Sequence, residues 1–260
     1  MKAATAILPF CILSALSTVP SSALAKTSSV KPPRNFVEVT EVIPSMQLDM
    51  RYYTNYNFVG KRIDGYSKPV CLLTKKAANA LKKVENQLLP MGLTLKAYDC
   101  YRPQRAVDEF VQWADRIEDT KMKMAFYPHV DKTELFSEGY IDKRSGHSRG
   151  STIDLTIVPL DSEVPNLDNV NIHKSCIAPK DERAPDNSLD FGSGYDCFSP
   201  ISHPDYYQVS PQAKANRLLL RTLMTRAGFV PLDTEWWHFT LAYEPYPNTY
   251  FNFPVDNLKQ

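Results

Sequence analysis

Apolar and polar positions alternate in Phe36-Val37-Glu38-Val39 and again over 46–52, so each run predicts a short strand. From Thr74 the period changes. Ala77, Leu81, Val84 and Leu88 recur at helical spacing, Thr74 can cap them, and Pro90 with Gly92 ends the helix near residue 89. The run 93–98 alternates as a strand. A second helix opens at Pro103, with Ala106, Val107, Phe110, Val111 and Ala114 along one side. Residues 152–158 read as a strand: Ile153, Leu155 and Ile157 face one way, Thr152, Asp154 and Thr156 the other. A third helix, capped by Ser210 before Pro211, ends before Gly228, and 234–241 is a final β-rich run. Between these, 159–210 is rich in Pro, Asn, Asp and Ser; so long an irregular segment in a compact domain is usually functional or inserted. Helices first and strands after favour an α+β class.

The start of the chain has a different character. Lys2 gives a short basic beginning, 7–16 is mostly apolar, and Ala23-Leu24-Ala25 is a small-residue cleavage site, which together predict a secretory signal peptide over 1–25. A membrane anchor is the rival reading. The apolar run is short for a hydrocarbon core of about 30 Å, and Pro9 and Pro20 interrupt it. Cleavage would leave 26–35 as a flexible start and 36–260 as a single domain with an insertion at about 159–190. The product would be periplasmic or secreted.

Charge excludes more than it suggests. The 260-residue chain carries 30 basic and 29 acidic residues, and 1–25 holds one of the former and none of the latter. The remainder is formally neutral, which gives no argument for nucleic acid or an anionic membrane surface as a partner. No later run is apolar enough for stable membrane insertion. Beyond the leader stand Cys71, Cys100, Cys176 and Cys197. An even number in an exported chain suggests two disulfides, with three pairings possible. Cys71–Cys100 and Cys176–Cys197 are favoured because each closes a local segment; free buried thiols are the alternative. No C-x-x-C pair supports a four-cysteine metal site.

Five residues near the predicted strand ends could carry chemistry. His147 and Asp154 lie in SGHSRGSTID, Glu235 and His238 in Glu235-Trp236-Trp237-His238, and Arg102 between a strand and a helix. A catalytic zinc needs three N or O ligands and one open position, which two histidines and a carboxylate supply. Glu235 could then be the general base and Arg102 the cation facing a developing oxyanion. Each residue also has a plainer reading. His147 could be an exposed loop histidine, Glu235 and His238 a polar edge on an aromatic core, and Arg102 a salt-bridge partner of Asp99. Asp154 is harder to dismiss, because a carboxylate within a β run must be paired, solvated or bound to metal. His129, His173 and His203 compete as ligands.

The combined pattern decides more than its parts. S-x-H-x-x-G-x-x-x-D at Ser145 to Asp154, followed much later by E-x-x-H at Glu235 to His238, resembles the zinc D-alanyl-D-alanine dipeptidases. These include the dipeptidase of vancomycin resistance, within a wider group of peptidoglycan D,D-peptidases and hedgehog-like zinc domains. Leu48-Asp49-Met50-Arg51-Tyr52, then Asn57-Phe58-Val59-Gly60 and Asp64-Gly65-Tyr66, resemble that family's N-terminal signature. Tyr98-Asp99-Cys100-Tyr101-Arg102-Pro103 resembles its arginine motif, and Phe191-Gly192-Ser193-Gly194-Tyr195-Asp196 the segment with its amine-binding aspartate. The resemblance runs from about residue 39 to 243.

The resemblance implies an α+β fold with a central antiparallel sheet and flanking helices. It implies one zinc ion per chain on His147, Asp154 and His238, with Glu235 as base and Arg102 holding the oxyanion. It implies Asp196 beside the substrate's free amine, Ser145 near the terminal carboxylate and Tyr52 in the pocket wall. The implied partner is a small dipeptide derived from peptidoglycan, D-Ala-D-Ala or a close relative. A D,D-carboxypeptidase or endopeptidase on the same zinc site is the enzymatic rival; a non-catalytic zinc domain that binds wall peptides is the rival of another class. The long stretch after Asp154 departs from the family pattern, and an insertion there is expected near the mouth of the pocket.

Overall fold

The structure is a computed structural model that describes Met1 and residues 32–168 and 170–258. Apart from Met1, the predicted signal peptide lies outside the described residues. Strand β1 (Phe36–Glu38), the single-turn helix α1 (Val39–Val42) and β2 (Gln47–Leu48) come first. Strand β3 (Leu72–Thr74) runs directly into α2 (Lys75–Leu88), and β4 (Leu93–Asp99) leads to α3 (Gln104–Asp115). Then follow the short α4 (Lys123–Phe126), β5 (Thr152–Pro159), α5 (Pro211–Arg226), β6 (Phe229–Leu232) and β7 (Glu235–Leu241).

Both long capped helices start where local chemistry requires. The Thr74 hydroxyl accepts the Ala77 N–H at 3.4 Å and the Ser210 hydroxyl the Ala213 N–H at 3.1 Å, satisfying amides that have no partner inside the helix. The apolar stripe Ala77, Leu81, Val84 and Leu88 is wholly buried.

The main sheet has the order β2-β4-β5-β7-β6. Its β4–β5, β5–β7 and β6–β7 pairs are antiparallel. The edge pair β2–β4 is parallel, and the chain between them, through β3 and α2, supplies the crossover such a pair needs. Strand β1 pairs with β3 in a separate two-stranded sheet. The predicted strand over 46–52 is reduced to Gln47–Leu48, because Arg51–Tyr53 coils into a 3-10 turn that buries Arg51 and Tyr52.

Ile153, Leu155 and Ile157 pack with Leu81 and Val84 of α2 and Leu220 and Met224 of α5 in one core. A second cluster is aromatic and centres on α3, with Tyr52, Phe58, Phe110, Trp113 and Phe198.

The irregular stretch after β5 is anchored by charge. Lys96 on β4 is wholly buried, so its ammonium needs a counterion. Asp186 provides one at 2.8 Å, and also meets Arg51 Nη2 and the Tyr98 hydroxyl at 2.8 Å each. Asn187 adds a hydrogen bond to Gln47 of β2 at 2.8 Å. These bonds draw the stretch onto the β2–β4 edge. The cysteines pair as Cys71–Cys100 and Cys176–Cys197, with Cα separations of 5.3 and 5.6 Å.

Candidate active site

Two strand irregularities assemble the site. On β4 the register jumps from Ala97–Leu155 to Asp99–Asp154, leaving Tyr98 as an extra residue. Without that bulge Tyr98 would stand opposite Asp154; with it, Asp99 does. Asp154 in turn pairs with His238 of β7. On the other side of β7, the pairs Pro231–Phe239 and Leu232–Glu235 leave Trp236, Trp237 and His238 without partners on β6. Residues three apart on a regular strand face opposite sides. The irregular register instead brings the Glu235 carboxylate to 3.3 Å from His238 Nδ1.

His147 arrives on a tight turn, Gly146–Arg149, just before β5. Ser145 caps it, its hydroxyl accepting the His147 N–H at 3.2 Å. Gly150 closes it at φ 80°, where an added Cβ would lie 2.2 Å from the Phe36 ring. The buried imidazole places Nδ1 2.7 Å from the Cys100 carbonyl. A carbonyl only accepts, so Nδ1 carries the hydrogen and Nε2 keeps its lone pair.

That lone pair points into a cluster. Asp154 Oδ1 is 3.3 Å from His147 Nε2 and 3.1 Å from His238 Nδ1, and the two nitrogens are 3.4 Å apart. Tetrahedral zinc with bonds of about 2.0–2.1 Å spaces its ligand atoms by about 3.3–3.4 Å. Asp154 Oδ1 is also buried without a hydrogen-bond partner, whereas Oδ2 accepts from the Tyr195 hydroxyl at 3.0 Å. The donor set, its spacing and the unpartnered oxygen all fit a divalent metal such as zinc. His129 and His173 are exposed and His203 half-buried, away from this group.

The electrostatics are those of a tightly coupled cluster. Burial works to raise the Asp154 carboxyl, but His147 and His238 outweigh it and hold it well below the usual carboxylate range. Burial works to lower the His238 imidazolium, but Asp154 and Glu235 hold it up at about 9. Burial pushes the Asp99 carboxyl up, against the pull of Arg102 and His147.

Arg102 does pair with Asp99, Nε to Oδ2 at 2.9 Å, and this pairing aims it. Its Nη2 lies 3.6 Å from Asp154 Oδ2, and its guanidinium sits 4.9 Å from the Tyr52 ring centre and 5.2 Å from that of Phe110. Tyr52 also donates its hydroxyl to Asp196 Oδ2 at 2.7 Å. Burial and the Asp154 charge push the Asp196 carboxyl well up.

Arg102, Asp154, Asp196, Glu235 and His238 share one open cleft of about 230 Å³, which Tyr52 and Ser145 also line. The residues to which the resemblance gave site roles thus meet around it, with buried His147 reaching it through Asp154. The expected insertion does not: no described residue between 159 and 190 lines the cleft, because Asp186 ties that stretch to Lys96. One contributor was read only in part and another went unrecognised. Asp99 serves both Arg102 and His147, 3.4 Å from His147 Nδ1, and Tyr195 holds Asp154. Asp99 was foreseen as a salt-bridge partner of Arg102 but not as a neighbour of His147; Tyr195 carries no signal beyond adjoining Asp196.

Residues 33–166 and 178–256 match the peptidase family described as D-Ala-D-Ala dipeptidase. The chain belongs to that family. The family match is interrupted over 167–177. A D-alanyl-D-alanine dipeptidase of Streptomyces coelicolor is 38% identical over 221 residues, covering 85% of this chain and 98% of that protein. One of Enterococcus faecium is 37% identical over 220 residues with the same coverage. One of Escherichia coli is 33% identical over 205 residues, covering 79% of this chain and 83% of its own length.

Proposed function

We propose that this chain hydrolyses free D-Ala-D-Ala, or a closely related dipeptide, at a zinc ion held by His147, Asp154 and His238. One observation carries the reading. The buried two-histidine, one-carboxylate group opens onto a cleft that also presents Glu235, Arg102 and Asp196. Named relatives that span most of the chain support the substrate class.

When bound, zinc lowers the pKa of a coordinated water toward neutrality and polarises the substrate carbonyl. Glu235 Oε2 accepts the proton of the attacking water and returns it to the leaving amine. Arg102, fixed by Asp99, donates N–H groups to the carbonyl oxygen as negative charge builds on it. Asp99 and the Cys100 carbonyl hold His147 in the tautomer that leaves Nε2 free.

A zwitterionic dipeptide also needs an anchor at each end. Asp196 serves the ammonium, oriented by Tyr52. Ser145, which lines the same cleft, keeps its own O–H free to donate to the carboxylate, because its oxygen only accepts from His147. With the N-terminal segment read as an export signal, the substrate is dipeptide released from the wall outside the cytoplasm.

Glu235→Ala tests the mechanism. Turnover should fall by about 10²–10⁴-fold while zinc content stays at one per chain. Near-full activity in this variant would overturn it.

A further inference from the structure

The backbone is most unusual at Asp196. Among the described residues it is the only non-glycine at positive φ, at 55°. Aspartate enters this region more readily than most L residues, but Cβ is still crowded against the backbone there, and contacts from neighbouring groups decide whether it stays. No regular element supplies those contacts, because 191–199 lacks helix and strand.

The contacts come from both neighbours in the chain. On one side, Tyr195 stacks on Tyr98 with ring centres 4.3 Å apart and planes 11° apart, and its hydroxyl holds Asp154. On the other, Cys197 is wholly buried and bonded to Cys176. The Cys197 carbonyl accepts from the Ser202 hydroxyl at 2.6 Å, and the Phe198 N–H donates to Phe126 at 2.7 Å. Cys176 closes the bracket through its own carbonyl, which accepts the Gly194 N–H at 2.9 Å. Asp196 therefore lies inside a small ring of constraints, and the disulfide is its only covalent member. Its carboxylate, 4% exposed as a residue, reaches Tyr52 on one side and the cleft on the other.

We propose that the Cys176–Cys197 disulfide is a positioning element for substrate recognition: it holds Asp196 in its left-handed conformation so that the carboxylate meets the ammonium of a free dipeptide. This rests on Asp196 as the amine anchor described above. Opening the bond frees Cys197, and φ of Asp196 relaxes toward negative values. The carboxylate then swings away from the cleft, while the metal ligands, held by β5, β7 and the Cys100 carbonyl, keep their places.

The test compares the zinc-loaded wild type with C176S/C197S, measuring kcat and KM on free D-Ala-D-Ala and on its N-acetyl derivative. The variant should raise KM for the free dipeptide on the order of tenfold, with kcat and zinc content little changed. The N-acetyl substrate, which lacks the ammonium, should not respond, so the preference for the free amine shrinks. In a D196A background the same cysteine change should add nothing to KM. If the variant does not fold, wild type treated with a phosphine reductant takes its place, with the opened disulfide identified by alkylation and peptide mapping. A preference for the free amine that survives opening of the bond, or equal loss of kcat on both substrates, overturns this proposal alone. A wild type with no preference for the free amine overturns the amine-anchor reading beneath it and this proposal with it.

Discussion

Asp99 and Asp154 are register partners across β4 and β5, and the His147 ring spans their carboxylates, Nδ1 3.4 Å from one and Nε2 3.3 Å from the other. The two acids have separate tasks. Asp154 turns an unpartnered oxygen toward the histidines. Asp99 binds Arg102, accepts the Tyr66 hydroxyl at 2.7 Å and faces the His147 imidazole.

Asp99→Asn keeps the shape and removes the charge. It should lower kcat and weaken zinc binding by about 10–100-fold, as loss of a partner behind a metal ligand typically does. Steady-state kinetics and a competitive zinc titration read both effects, and a variant with wild-type values in each contradicts the role.

How far the sequence predicted this architecture follows from the range of each interaction. Helix α2 was legible because stripe, cap and stop all lie within its own segment, as with Thr74, Leu81 and Gly92, and α5 because Ser210 and Gly228 bracket it. Strands β3 and β6 were not, since Leu72–Thr74 and Phe229–Leu232 are short and gain their identity from partners far away in the chain. The same holds at the site. His147 and Asp154 lie within ten residues, but His238 joins them from far along the chain, so the trio was read from the family resemblance and not from spacing alone. The roles of Asp99 and Tyr195 depend on a bulge at Tyr98 and on a stack between strand and loop. Neither leaves a periodic trace.

Gly150 offers a test of the turn that carries His147. Gly150→Ala meets both a positive φ and the Phe36 ring, and should destabilise the protein by about 2–4 kcal/mol. Because the turn sets His147, zinc affinity should fall as well. Thermal denaturation with and without zinc separates the two effects.

Acid sensitivity should trace in part to Asp186. Burial works to raise its carboxyl, but Lys96 and Arg51 outweigh this and hold it well below the usual range. A depressed folded-state value means the stabilisation is present above the unfolded pKa of about 3.9 and is lost as pH falls below it toward the folded value. Asp186→Asn removes the nearer counterion of buried Lys96, leaving Asp49 at 3.7 Å, and should cost about 1.5–3 kcal/mol near neutral pH. The variant should also lose less stability than wild type on acidification. Urea denaturation from pH 7 down to pH 3 gives both numbers.

The central claim is metal-dependent cleavage of a free D,D-dipeptide, and release of D-alanine from D-Ala-D-Ala by the purified protein tests it most directly. The account predicts release by the zinc-loaded protein, its loss after chelation, its return when zinc is restored, and little release from L-Ala-L-Ala. A zinc-loaded, folded protein that leaves D-Ala-D-Ala intact would contradict it.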